Sequence, residues 1–170
     1  MKKLMLLVLL AAQVISACAQ ESGYSAGNSV EDFKLKNVDG KMVSLSDYES
    51  AKGFIVVFTC NTCPYANAYE QRIIDLHNKY ASKGFPVVAI NPNDPVASPG
   101  DSFEQMQKRA SEKKYPFPYL IDPEQTVTKR FGALRTPHVY VLTKESGTGK
   151  VTYVGAIDND TEETNRERTK

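Results

Sequence analysis

The chain is predicted to fold as an α/β sandwich, a mixed central β-sheet with flanking helices and an N-terminal β-hairpin. Three observations predict it. Phe54-Ile55-Val56-Val57-Phe58 is an unbroken run of β-formers, the pattern of a strand buried on both faces. The period then changes to that of a helix, with Tyr65, Tyr69, Ile73, Leu76 and Tyr80 forming one apolar stripe. Gly84 stops this helix and Phe85-Pro86-Val87-Val88-Ala89-Ile90 follows as a second buried run, which makes a right-handed βαβ unit.

Taken in order, residues 1–19 carry an export signal: Lys2 and Lys3, an apolar stretch from Leu4 to Val14, and small residues at Ser16-Ala17-Cys18-Ala19. The stretch falls short of the ~20 apolar residues of a bilayer span. Two processing patterns fit. Ile15-Ser16-Ala17-Cys18 resembles a bacterial lipoprotein box, which places a lipid on Cys18, and Ala17-Cys18-Ala19 fits an A-x-A cleavage site that leaves Gln20 first. Both imply the cell envelope, with a periplasmic protein either lipid-anchored through Cys18 or soluble after cleavage. Residues 20–29 are small and polar and read as a tether, so the domain is placed at 30–160, with 161–170 a polar tail.

Within the domain, Phe33-Lys34-Leu35-Lys36 and Met42-Val43-Ser44-Leu45 flank an Asp39-Gly40 turn and predict the hairpin. Pro64 suits the first turn of the helix that follows Cys63. Asn91 to Gly100 contains three prolines and reads as a loop at the sheet end that carries Cys60. Asp101 and Ser102, with Glu104 and Gln105 three residues beyond each, offer a capping box for a helix through Phe103, Met106 and Ala110. Lys108, Arg109, Lys113 and Lys114 make that helix basic, the pattern of a solvated face. Phe117 to Ile121 predicts a short strand, Glu124 to Phe131 a short helix ended by Gly132, and His138 to Leu142 with Val151 to Gly155 a closing hairpin through a turn containing Gly147 and Gly149.

Length and charge narrow the function classes. A chain of 170 residues suits one domain. Its formal net charge is +1, and residues 1–19 hold two lysines and no acids, so the remainder stands near −1 and has no electrostatic pull toward nucleic acid.

The chemistry concentrates at Cys60-Asn61-Thr62-Cys63. Disulfide exchange needs an attacking thiolate and a second thiol within reach of the mixed disulfide, and CxxC at a strand-to-helix junction supplies both. Cys60 is the expected nucleophile and Cys63 the resolving thiol. No cofactor is required beyond the Cys60–Cys63 disulfide itself. Structural zinc would need a second ligand pair, and neither another CxxC nor an HxxxH is present. A soft-metal site built from Cys60, Cys63 and His138 is the competing arrangement.

The order of buried strand, CxxC, helix, strand, helix, Thr-Pro, strand and hairpin resembles the thioredoxin superfamily. Asp32-Phe33-Lys34-Leu35, Asp39-Gly40, Ser44-Leu45-Ser46, Cys60 to Tyr65 and Arg135-Thr136-Pro137-His138 are similar to its redoxin branch of alkyl hydroperoxide reductases and thiol-specific antioxidant proteins. The resemblance covers residues 26 to 160 and implies a thioredoxin-like three-layer sandwich. It implies that Pro137 is a cis-proline facing the CxxC and that Thr136 contacts substrate. It also implies a thiol-disulfide oxidoreductase with an antioxidant or disulfide-exchange role, acting on protein dithiols or disulfides with a thiol electron donor.

Two alternatives share the scaffold: a peroxiredoxin-type thiol peroxidase acting on hydroperoxides, and a copper chaperone similar to the Sco type using Cys60, Cys63 and His138. Departures from the family pattern matter here. The chain has no Trp, carries Val57 near the position of a thioredoxin's buried acid, and has Val56 and Cys60 seven and three residues ahead of Cys63, where peroxiredoxins carry Pro and Thr. Arg135 reads as a solvated arginine and His77 as structural or exposed. Similar proteins continue into an amphipathic helix that covers one sheet face, whereas 158–170 is polar, which suggests truncation.

Overall fold

The computed structural model describes residues 23–144 and 149–159. The export signal with Cys18, the Gly147 turn and the tail from residue 160 lie outside the described residues.

The hairpin forms from β1 (Lys34–Asn37) and β2 (Met42–Ser44), antiparallel with Lys36 opposite Met42. Gly40 sits in its turn at φ +86°, a conformation that favours glycine. The βαβ unit follows as β3 (Gly53–Phe58), α1 (Pro64–Tyr80) and β4 (Val87–Asn91). Then come α2 (Phe103–Glu112), β5 (Tyr119–Ile121), α3 (Thr126–Phe131), β6 (His138–Thr143) and β7 (Lys150–Gly155). The seven strands form one sheet in the order β2-β1-β5-β4-β3-β6-β7. β3, β4 and β5 run parallel, and the outer pairings are antiparallel, so the sheet is mixed as expected.

Strand alternation divides the core into two layers. Phe54, Val56 and Phe58 pack with Val127 and Phe131 on the α3 side. Ile55 and Val57 pack with Ile73, Met106 and Ala110 on the side of α1 and α2. The sheet between them makes three layers.

Three local readings are corrected. Residues 23–29 are not a free tether: the Tyr24 amide donates to the Phe131 carbonyl, Tyr24 stacks edge-on against Phe131 at 5.1 Å, and Ser29 bridges to Lys150. Tyr65 leaves the apolar stripe and is 63% exposed, while Ala66, Tyr69 and Ile73 form the buried face. Ser102 alone caps α2, accepting from the Gln105 amide, and Asp101 turns inward and is fully buried.

The basic face of α2 is partly engaged. Arg109 Nε lies 2.6 Å and Lys113 Nζ 3.2 Å from the Glu70 carboxylate on α1. Beyond α1 an open apolar groove of about 660 Å³ runs between Leu76, Tyr80 and Phe85 and the outer strands, with Val141, Tyr153 and Ile157 on its floor and rim. Among the described residues no helix is long and apolar enough to cross a membrane.

Candidate active site

The site lies where β3 ends and α1 begins. Cys60 follows the buried strand after Thr59, whose amide donates to Ile90, and Cys63 is the N-cap residue of α1 with Pro64 at its first position. Opposite them, the Thr136–Pro137 peptide is cis. The structure brings Thr136 to both sulfurs. Its hydroxyl lies 3.2 Å from Cys60 Sγ, and its carbonyl accepts from the Cys63 thiol at 3.3 Å. Both cysteines are free thiols.

The two thiols have opposite environments, in the reverse of the expected order. Cys60 is 5% exposed; burial pushes its pKa up, the Asp101 charge pushes the same way, and hydrogen bonds from Thr136 and the Cys63 amide offset this only in part. Cys63 is half-buried. Burial raises its pKa too, but Thr136, the Ala66 and Tyr65 amides at the helix start and the Cys60 thiol outweigh that and leave it lowered.

Asp101 is the residue that sequence reasoning missed. Its Oδ1 accepts from the Asn61 amide at 2.6 Å and from Asn91 Nδ2 at 3.0 Å. Its Oδ2 accepts from the Thr62 hydroxyl at 2.6 Å, Ser98 Oγ at 2.7 Å and Asn93 Nδ2 at 2.9 Å. Burial raises its pKa, and those bonds, led by Thr62, more than reverse the effect, so the carboxylate stays ionised. Asp101 thus pins both residues between the cysteines and ties them to the loop from Asn91. The loop closes on the dipeptide elsewhere too. Asn61 Nδ2 donates to the Gly100 carbonyl, and a Cβ at Gly100 would stand 2.6 Å from Thr62 Cγ2. The only sequence signal was a polar cluster, Asn91, Asn93, Ser98 and Asp101, in a loop otherwise rich in Pro.

On the other side of the dipeptide, Arg109 Nη1 donates to the Asn61 carbonyl at 3.3 Å and Nη2 to Asn67 at 2.7 Å. Tyr119 donates its hydroxyl to Asn61 Oδ1 at 3.0 Å. Every polar group of Asn61 is therefore held, which fixes the sulfurs on a rigid turn.

His138 is not brought to the thiols as a ligand. It shares the α3 face of β6 with Tyr140, 4.8 Å ring to ring, whereas Cys60 lines the opposite face with Ala66, Ile73 and Phe117. Among the described residues no group of three His, Cys, Asp or Glu side chains is arranged to hold a metal ion. Cys60, Cys63 and His138 do not form such a group among the described residues, and the Sco-like ligand set is not assembled. Arg135 is exposed. His77 is structural, its Nδ1 accepting from the Val87 amide at 3.3 Å.

The family model described as the AhpC/TSA family matches residues 26–154. A solved structure of an uncharacterized conserved protein from Geobacillus kaustophilus is 38% identical, with a TM-score of 0.76 over 82% of this chain and 72% of that one. The thiol-disulfide oxidoreductase ResA of Geobacillus thermodenitrificans is 24% identical over 155 residues, 89% of this chain and 84% of its own length. Chloroplastic peroxiredoxin Q of Gentiana triflora is 28% identical over 138 residues, and the match covers 76% of this chain and 58% of that protein. A redox enzyme on a thioredoxin-like fold accounts for all of these likenesses, and the chain belongs to the AhpC/TSA family, within the redoxin branch of the thioredoxin superfamily.

Proposed function

We propose that this protein is a thiol-disulfide oxidoreductase of the bacterial cell envelope whose Cys60 and Cys63 alternate between dithiol and disulfide. The observation that carries the reading is the meeting of both free thiols with Thr136, next to the cis-Pro137, at the N-terminus of α1. A helix start favours the thiolate, and a neighbouring thiol releases the mixed disulfide. Thr136 and Pro137 form the wall against which a bound disulfide would lie. Partners are protein dithiols or disulfides and a thiol electron donor. The relation to ResA supports exchange between protein thiols, and the leader in 1–19 supports an exported protein, lipid-anchored through Cys18 or cleaved.

Turnover of insulin disulfides with dithiothreitol tests the reading. Activity in the wild type and its loss in both Cys60→Ser and Cys63→Ser are expected; full activity in either variant would refute it.

A second reading, peroxidase activity, is favoured by the match to peroxiredoxin Q. Against it stand Val56 and Cys60 at positions where that chemistry uses Pro and Thr. Stoichiometric hydroperoxide consumption on mixing with reduced protein would establish it, and free-thiol rates would remove it.

A further inference from the structure

We infer that Cys63 is the attacking sulfur of this pair and that Cys60, sealed beneath it, is the resolving thiol. The inference rests on the dithiol exchange proposed above and reverses the roles that chain order suggests.

Three separate features of the geometry carry it. The first is access. Cys60 is 5% exposed and lies among Ala66, Ile73, Tyr115 and Phe117, whereas Cys63 is half-buried between the exposed Thr62 and Pro64. An incoming disulfide must approach along the line of the bond it will lose, and only Cys63 has an open side. The second is helix position. Cys63 is the N-cap of the 17-residue α1, with the first-turn amides of Tyr65 and Ala66 facing its sulfur.

The third feature is Asp101. Its carboxylate takes the Asn61 amide at 2.6 Å, the N–H that directly follows Cys60 and would otherwise be free to stabilise a Cys60 thiolate. Among the described residues no cation is paired with Asp101, and all five of its hydrogen bonds come from neutral donors. Its charge opposes a second negative charge on Cys60. Asp101 is a positioning residue, acting on Cys60 through the Asn61 backbone and through its field.

The exchange then balances as follows. The Cys63 thiolate attacks one sulfur of a protein disulfide; the Cys63–substrate bond forms as the substrate S–S bond breaks, and the departing thiolate takes a proton from water. Cys60 gives up its proton to solvent and attacks Cys63 Sγ. The Cys60–Cys63 disulfide forms and the second substrate thiolate leaves and is protonated. Two electrons have passed to the substrate, and a dithiol donor restores the pair.

The test uses the reduced protein with Cys18→Ser throughout, so that only the pair reacts with the aromatic disulfide 5,5′-dithiobis(2-nitrobenzoate). Cys60→Ser should keep the fast-reacting thiol, retain the thionitrobenzoate adduct, and show a pH–rate inflection below that of Cys63→Ser. Cys63→Ser should react at least about tenfold more slowly. Equal rates, or a faster Cys63→Ser, would overturn the inference. Because a destabilised variant could expose a buried thiol, a second measurement uses wild type: substoichiometric iodoacetamide at neutral pH, with the site read by fragmentation mass spectrometry. Label on Cys63 is expected, and label mainly on Cys60 overturns the assignment. Failure of the underlying reading looks different: wild type would not turn over insulin at all, whichever cysteine the probe prefers.

Discussion

Replacing Asp101 by alanine removes the acceptor for five donors at once, and the cost can be worked from their surroundings. Asn61 and Asn91 are 8% and 0% exposed, so the Asn61 amide and the Asn91 side chain lose their partner where water cannot replace it. Each orphaned buried donor costs about 1–3 kcal/mol, or about 2–6 kcal/mol for the two. Thr62, Asn93 and Ser98 are nearer the surface and recover hydrogen bonds from solvent. Loss of a buried charge returns part of its desolvation penalty, so a net destabilisation of about 3 kcal/mol is expected, against a typical total of about 5–15 kcal/mol. Urea unfolding of the reduced protein at pH 7 measures it, with the midpoint lowered and the slope unchanged. The pH dependence gives an independent check. Because the folded-state pKa of Asp101 is lowered, its contribution is complete above the unfolded value near ~3.9 and is lost as the pH falls through the folded value. Wild type and Asp101→Ala should therefore converge in acid. A loss below about 1 kcal/mol at pH 7, or a gap that widens in acid, would refute the reasoning.

Other predictions follow from neighbouring contacts. Arg109→Met breaks the 2.6 Å pair with Glu70 and the bond to the Asn61 carbonyl, and should cost about 2 kcal/mol in urea unfolding while slowing insulin turnover. Phe131→Ala empties a site 1% exposed where Tyr24, Phe33, Phe58 and Tyr140 converge, with an expected loss of about 3–5 kcal/mol by the same measurement. His138 is held neutral by burial, then by the Arg135 charge, so its folded-state pKa is lowered and stability should fall as the pH drops below ~6.5. His138→Gln should flatten that part of a thermal-unfolding pH profile, and an unchanged slope would remove His138 from the account.

What the sequence disclosed and what it hid divide along physical lines. β3, the hairpin and α1 were legible because their signals are local: an apolar run, an Asp-Gly turn, a helical period opened by proline. The CxxC and Thr136-Pro137 were legible as motifs. Asp101 was not, since Asp followed by Ser before an amphipathic stretch looks like a cap, and only the path of the 91–101 loop turns its carboxylate under the dipeptide. The contrast between Cys60 and Cys63 was hidden for the same reason, because burial beneath Phe117 and Tyr115 is a tertiary property. His138 was grouped with the cysteines for its place beside Thr136-Pro137, but its ring packs 4.8 Å from that of Tyr140, and among the described residues it joins no three-ligand group. Tyr24 was lost in a polar segment whose composition resembles a tether although one aromatic ring anchors it to Phe131.

The central claim is dithiol exchange at Cys60 and Cys63, and the most direct measurement is the mass and disulfide map of the reduced protein after equilibration with oxidised insulin. The account predicts loss of two hydrogen atoms, a Cys60–Cys63 linkage and a matching gain of insulin thiols. An unchanged mass, or oxidation of a single cysteine without the intramolecular disulfide, would contradict it.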